Sequence, residues 1–216
     1  TARFAAQVES RGLFYPPDLG SQAVSTLGGN VAENAGGLRG LKYGVTGHYV
    51  MGLEFFDAGG QRVKTGARTV KCVTGYNLAA LLVGSEGTLG VLDKITLKLI
   101  PMPAARKPMM AAFANVDKAS EAVAAVIAAR IVPSTLEFMD NFTIRAVESH
   151  GRAGLPVDAA ALLLVEVDGH PAQVEEDAQK VEVICKAMGA SHIRTARDDA
   201  ERDRVWEARR TALSAL

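Results

Sequence analysis

Apolar positions recur along this chain with two different periods. Val50 to Phe56 and Gln61 to Thr65 are strand-like stretches separated by Asp57-Ala58-Gly59-Gly60. Strand, glycine turn and strand predict a β-hairpin. Residues 91–100, "VLDKITLKLI", end in alternation: Ile95, Leu97 and Leu99 on one side, Lys94, Thr96 and Lys98 on the other. That is the pattern of a half-buried strand. Leu78 to Val83 is a short apolar run that helix or strand could claim.

After Pro101-Met102-Pro103 the pattern changes. Strand-sized runs at 108–115, 134–140, 160–169 and 191–197 alternate with helical periodicity at 117–130, 141–149 and 171–188, and a further helix is expected from Asp198. The first of these helices should bury Ala119, Val123, Val126 and Ile127, with Asp117 in its first turn. Asp140 or Asn141 should cap the second, and Gly189 should stop the third. Two prolines in three residues cannot continue a helix and favour an extended linker. The sequence therefore predicts two domains, a β-rich one over 1–102 and one of alternating strands and helices over 103–216, in an α+β fold.

Composition narrows the function. With 24 basic and 24 acidic side chains the formal net charge is zero. A nucleic-acid binder normally carries a basic surplus to neutralise phosphates, so that class is disfavoured. No apolar run approaches the roughly 20 residues that span a bilayer, so no integral membrane protein is expected. The two cysteines, Cys72 and Cys185, stand far apart and read as buried thiols in a reducing compartment. Metal ligation is not expected. His48, His150, His170 and His192 read as surface or loop residues. The chain opens at Thr1-Ala2-Arg3-Phe4 directly on an amphipathic pattern, which reads as a segment of a longer protein.

The candidate chemistry lies in two glycine-rich stretches, "STLGGNVAENAGG" (25–37) and "GSEGTLGV" (84–91). Neither is the G-x-G-x-x-G of a Rossmann turn or a P-loop. Backbone N–H groups approach a phosphate closely where no Cβ intervenes, and successive N–H groups in a turn make an anion cradle. Ser25, Thr26, Asn30, Ser85 and Thr88 would add short donors. Tight turns of a β-rich domain would give the same spacing, and spacing alone leaves both readings open.

The run "YPPDLGSQAVSTLGGNVAENAGGLRGLKYGVTGHYVMGLE", with "GYNLAALLVGSEGTLGV", resembles the flavin domain of the FAD-linked D-2-hydroxy-acid oxidases and dehydrogenases, of the vanillyl-alcohol-oxidase type. "TLEFMDNFTIRAVE", "GLPVDAAALLLVEVDG", "VEEDAQKVEVICKAMGA" and "DDAERDRVWEARRTAL" are similar, within that group, to bacterial glycolate oxidase flavin subunits. The resemblance implies the later part of an FAD-binding domain over 1–102, followed by the earlier part of a cap over 103–216. The cap is expected as a ferredoxin-like antiparallel sheet with helices. Two family motifs, similar to R-G-A-G-T-G and H-A-G-D-G-N-x-H, are missing from this chain. It is therefore expected to be an internal fragment, inactive on its own and binding FAD weakly or not at all.

The resemblance also assigns residues. Pro17, Asp18, Ser21, Thr26, Gly28, Gly29, Asn30, Ala32, Gly36 and Tyr43 would belong to the FAD wall, with Gly84, Glu86, Gly87, Gly90 and Val91 along the cofactor. Asn30 and Asn34 tolerate left-handed backbone and offer side-chain amides. In this family a 2-hydroxy acid becomes a 2-oxo acid, hydride passing from C2 to flavin. Arg209 of "VWEARRTAL" matches the arginine that holds the substrate carboxylate, a task suited to a bidentate guanidinium. On a helix Arg210 would point about 100° away. No catalytic acid or base is assigned within this chain. Glycolate is the substrate the resemblance favours, with D-lactate and D-2-hydroxyglutarate as alternatives. A non-catalytic FAD-fold or subunit-binding module is the reading from another class. The expected partners are a second flavin-type subunit and an iron–sulfur subunit, in the cytoplasm or peripheral at the inner membrane.

Overall fold

A computed structural model describes residues 1–151, 154–195 and Trp206. The chain divides into two compact units, Thr1–Met102 and Pro103–Leu216. Short helix α1 (Ala2–Glu9) opens the first unit, followed by strand β1 (Leu13–Phe14), α2 (Leu27–Ala32) and α3 (Gly40–Tyr43). Then come β2 (Val50–Phe56), β3 (Arg62–Gly66), α4 (Leu78–Leu82), β4 (Val91–Leu97) and β5 (Ile100–Pro101).

The expected hairpin is present: β2 pairs antiparallel with β3, from Gly52 opposite Gly66 to Phe56 opposite Arg62. Its turn closes on Asp57, whose carboxylate accepts from the Gln61 N–H at 2.8 Å. Strand β4 lies against the other edge of β2, giving the order β3-β2-β4. Leu53 and Phe55 pack from this sheet against Val31 of α2 and Ala79 and Leu82 of α4. The ambiguous run at 78 is thus a helix, started by Asn77, whose side chain accepts from the Ala80 N–H at 3.0 Å.

The strand expected over 91–100 is broken in two. The three-stranded sheet ends at Leu97, and Ile100–Pro101 pairs instead with Leu13–Phe14. Ile95 packs beside Leu53, whereas Leu97 and Leu99 pack with Tyr15 and Tyr49. One alternating pattern therefore serves two small cores.

The second unit contains β6 (Ala105–Phe113), α5 (Val116–Ala128), β7 (Thr135–Asp140), α6 (Asn141–Gly151), β8 (Ala161–Gly169), α7 (Pro171–Ala187) and β9 (Ala190–Thr195). Its sheet is wholly antiparallel, in the order β7-β8-β6-β9. Pro108 lies inside β6, opposite Glu166 of β8.

Phe113, Leu163 and Val165 of this sheet meet Ala119, Ala122 and Val126 of α5 and Val174, Ala178 and Val181 of α7. The apolar face expected for α5 needs one correction: Ile127 is 42% exposed and Ala122 takes the buried place. Helix geometry turns Ile127 about 100° from Val126, out of the contact stripe. A second correction concerns the thiols, because Cys185 is buried but Cys72 is exposed. Burial pushes the Cys185 thiol up to about 11. The four histidines are all exposed, as expected.

The α6 cap resolves to Asp140, whose carboxylate accepts from the Thr143 N–H at 2.8 Å. The Asn141 amide instead donates to the carbonyls of Val157 and Ala159 at 2.8 and 2.6 Å. The Thr143 hydroxyl, and then its N–H, hold the Asp140 carboxyl below the usual carboxylate range. Asp140→Ala should cost about 1 kcal/mol, the usual worth of such a cap, read as a shift in denaturant midpoint. A carboxyl with a lowered folded pKa stabilises only while ionised. The difference between wild type and Asp140→Ala should therefore be full above the unfolded value of about 3.9 and vanish as pH falls through the lower folded value.

Candidate cofactor-binding site

The two glycine-rich stretches are far apart in sequence but joined in space. The Gly84 N–H donates to the Val31 carbonyl at 3.0 Å, and the Glu86 N–H to the Ala32 carbonyl at 2.9 Å. Asn34 braces the join. It adopts a left-handed backbone, φ 50°, and its side-chain oxygen accepts from the Gly47 N–H at 2.9 Å. Glu86 is left-handed as well, φ 51°. Asn30 is not; it lies within α2, buried, and its amide donates to the Thr1 hydroxyl at 2.6 Å.

The segment 15–21 is tied to the end of the first stretch. Asp18 is buried, its carboxylate lies 3.3 Å from the Arg39 guanidinium, and its carbonyl accepts from the Leu38 N–H at 3.0 Å. Arg39 in turn lies 5.0 Å from the centre of the Phe14 ring. Gly37 sits so close that an added Cβ would stand 1.9 Å from the Asp18 carbonyl oxygen. Asp18 and Gly37 therefore shape the loop, and their contacts are within the chain. Arg39 and the bracing role of Asn34 were not legible in the sequence, because each partner lies outside any local spacing pattern.

Several of the short side chains expected for an anion cradle already bond within the chain. Thr26 caps α2, its hydroxyl oxygen accepting from the Gly29 N–H at 3.0 Å. The Ser25 hydroxyl lies 2.8 Å from that of Thr1, and the Thr88 hydroxyl donates to the Ser85 carbonyl at 2.6 Å. Tyr43 is held through its carbonyl, which accepts from the Tyr49 hydroxyl at 2.8 Å.

Of the residues expected on the cofactor wall, Pro17, Asp18 and Asn30 are buried, and Gly28, Ala32, Tyr43 and Gly90 are half-buried. Ser21, Thr26, Gly29, Gly36, Gly84, Glu86, Gly87 and Val91 are exposed. The glycines divide by cause. At Gly90 an added Cβ would lie 2.7 Å from both the Phe55 ring and the Phe56 carbonyl, so the chain itself demands glycine. At Gly28 no atom of the described chain lies within 4 Å of the added Cβ. A groove of about 500 Å³ in the same unit, bordered by His48, Thr65, Cys72, Tyr76 and Lys98, contains none of the expected cofactor residues. Arg209, expected on the substrate carboxylate, lies outside the described residues. Among the described residues no cluster of acidic, histidine and cysteine side chains could hold a metal ion, and no helix is long and apolar enough to cross a membrane.

Comparison with known proteins accounts for both units. Residues 102–216 match the family described as FAD linked oxidases, C-terminal domain, and residues 1–66 the family described as FAD binding domain. The chain is 50% identical over 209 residues to glycolate oxidase subunit GlcD of Bacillus subtilis, covering 97% of this chain and 44% of that protein. It is 36% identical over 220 residues to D-lactate dehydrogenase of Anaerostipes hadrus, covering 98% and 46%. The chain thus spans less than half the length of these curated relatives. Alkyldihydroxyacetonephosphate synthase superposes with a TM-score of 0.77 at 19% identity over 99% of this chain and 43% of its own. p-Cresol methylhydroxylase does so with 0.72 at 18% identity over 94% and 45%. These neighbours share the α+β fold of vanillyl-alcohol-oxidase-type flavoproteins. FAD is the cofactor of the group, and the chain belongs to the FAD-linked oxidases.

Proposed function

We propose that this chain forms part of the FAD wall and part of the substrate cap of an enzyme that oxidises a D-2-hydroxy acid to its 2-oxo acid, with glycolate as the substrate. The wall is residues 1–102 and the cap 103–216. The observation that carries the cofactor assignment is Gly28. It stands in the first turn of α2, where alanine would be more stable by up to about 1 kcal/mol. No neighbour in the described chain requires its missing Cβ. A flat group lying against the backbone there would. The joined segments at Ala32 and Glu86 present exposed glycine backbone beside it, which suits the pyrophosphate and ring of FAD.

Bound FAD supplies the two-electron acceptor for oxidation at the substrate's C2. The chain's own residues supply placement. Thr26, Gly28, Gly29, Gly36, Gly84, Gly87 and Val91 offer the exposed backbone edge, while Asp18, Asn30, Ala32 and Gly90 fix its shape from within. Arg209 holds the substrate carboxylate through both oxygens, fixing which face of C2 is presented. Identity to the GlcD subunit supports glycolate, and identity to the D-lactate dehydrogenase supports D-lactate as the second reading. Electrons leave through a partner redox subunit, a reading supported by the identity to a relative that is itself named a subunit. The working location is the cytoplasm or its membrane surface.

The test is anaerobic mixing of the full-length flavoprotein with glycolate, D-lactate or D-2-hydroxyglutarate. Loss of the flavin absorbance is expected, fastest with glycolate. Unchanged absorbance with every 2-hydroxy acid would leave a flavin-binding module without this activity.

A further inference from the structure

Residue 34 meets two demands at once. Its backbone is left-handed, φ 50°, a conformation that glycine, asparagine and aspartate adopt at least cost. Its side-chain oxygen also accepts from the Gly47 N–H at 2.9 Å. Glycine would meet the first demand better, and glycine stands close by at 36 and 37. Only the second demand calls for a side chain.

Three segments converge on that side chain. The single 3₁₀ turn Thr46–Tyr49 is tied to the first glycine-rich stretch one residue further on. There the buried Thr46 donates to the Ala35 carbonyl from its N–H at 3.1 Å and from its hydroxyl at 2.8 Å. The second glycine-rich stretch begins beside the same turn. A Cβ added to Gly47 would stand 2.8 Å from the Asn34 side-chain oxygen and 3.0 Å from a Val83 methyl. One added to Gly84 would stand 3.5 Å from the Asn34 Cβ. Asn34 therefore fills the space between the turn and the start of the second stretch. The bonds from Gly84 and Glu86 to the Val31 and Ala32 carbonyls set which residues of the two stretches are neighbours. Asn34, held by Gly47, is the spacer beside those bonds.

We infer that Asn34 is a positioning residue for FAD: bonded to Gly47 and packed beside Gly84, its side chain sets the spacing of the two glycine-rich stretches, and so how well both meet the cofactor together. The inference rests on the reading of the cofactor wall given above. Contacts from two segments count in full only when both are in place before binding, because ordering a loose segment subtracts from affinity. The acceptor at 34 should therefore matter beyond the left-handed backbone. Asn34→Gly keeps the backbone and removes the acceptor, whereas Asn34→Asp keeps both.

The experiment is titration of the full-length apoprotein with FAD, followed by flavin fluorescence at high salt, where the added aspartate charge is screened. It is run well below the apoprotein Tm of every variant, so that lost stability alone leaves Kd unchanged. Asn34→Gly should raise the Kd for FAD by at least about fivefold, the scale of one lost hydrogen bond. Asn34→Asp should bind FAD at least about threefold more tightly than Asn34→Gly, because the acceptor is restored. A smaller rise in Asn34→Gly, with or without a lowered Tm, makes Asn34 a loop-stabilising residue only and overturns the inference. Equal weakening in both variants assigns the effect to the amide nitrogen and not to the bond with Gly47, and overturns it as well. Gly28→Val is measured alongside. A raised Kd there, with wild-type Kd in Asn34→Gly, overturns the role of Asn34 alone. An unchanged Kd in Gly28→Val overturns the reading of the wall, and this inference with it.

Discussion

Gly28→Val in the full-length protein should abolish FAD retention and leave the fold intact, whereas Gly37→Ala should damage the fold itself. The two glycines share one loop system and differ in what surrounds them. A Cβ on Gly37 would stand 1.9 Å from the Asp18 carbonyl oxygen and 2.4 Å from its carbon. Both are backbone atoms, and the same segment carries the Asp18–Arg39 pair, so neither side can yield cheaply. Overpacking of this kind costs about 1–3 kcal/mol, which for a protein of this size or larger lowers Tm by several degrees, about 2–4 °C per kcal/mol. Gly28 has no such neighbour, and valine fits a helix no worse than glycine does. Its branched side chain would instead occupy the space proposed for the cofactor. The flavin-to-protein absorbance ratio of purified protein, together with Tm after flavin removal, separates the effects. Gly28→Val should show little flavin and an apo Tm within about 2 °C of wild type. Full flavin content in that variant would mean that the loop is merely structural. Gly29 is a poorer choice for the test, because its added Cβ lies 3.2 Å from the Thr26 hydroxyl that caps α2, and so mixes cap loss with cofactor loss.

Arg209→Lys should lower kcat/KM by at least about tenfold on glycolate and D-lactate. A hydrogen bond to a charged group contributes about 1.5–3 kcal/mol, and lysine loses the paired geometry while keeping the charge. Truncation effects convert to rate through the same free-energy scale, so one such bond corresponds to roughly ten- to hundredfold. Arg210→Lys, one residue on, should be nearly silent. Flavin content should be unchanged in both, since the residue is assigned to the cap and not to the wall. Equal kinetics in the two variants, or a larger defect at Arg210, would move the carboxylate contact elsewhere.

The sequence by itself determined those features whose causes are local. The hairpin at 50–66 follows from apolar runs flanking Asp57 and two glycines, and its turn closes on the Asp57 carboxylate. The alternation of strands and helices after Pro103 follows from period, and Gly189 ends α7 with φ 89°, as a helix-stopping glycine does. The family resemblance was legible because glycine-rich loops leave dense, contiguous motifs. Which residues share a site was only partly legible, since the motifs mark segments and not their contacts.

Tertiary structure decided everything that depends on a distant partner. The sheet order β7-β8-β6-β9 places the last strand beside the first, and no pattern within either strand encodes that choice. The alternation at 91–100 gave no sign that Ile100–Pro101 would leave the sheet to pair with Leu13–Phe14. Ile127 and Cys72 were expected inside and lie outside, because period and hydrophobicity predict a face but not where packing against it ends. Asp18, Asn34 and Glu166 carry their structural meaning through Arg39, Gly47 and Trp206. The first two partners are 21 and 13 residues away and the third is 40, as the residue numbers give. A single polar side chain in a sequence does not announce its partner, because hydrogen bonds and ion pairs are satisfied in space, and burial fixes which ones must be.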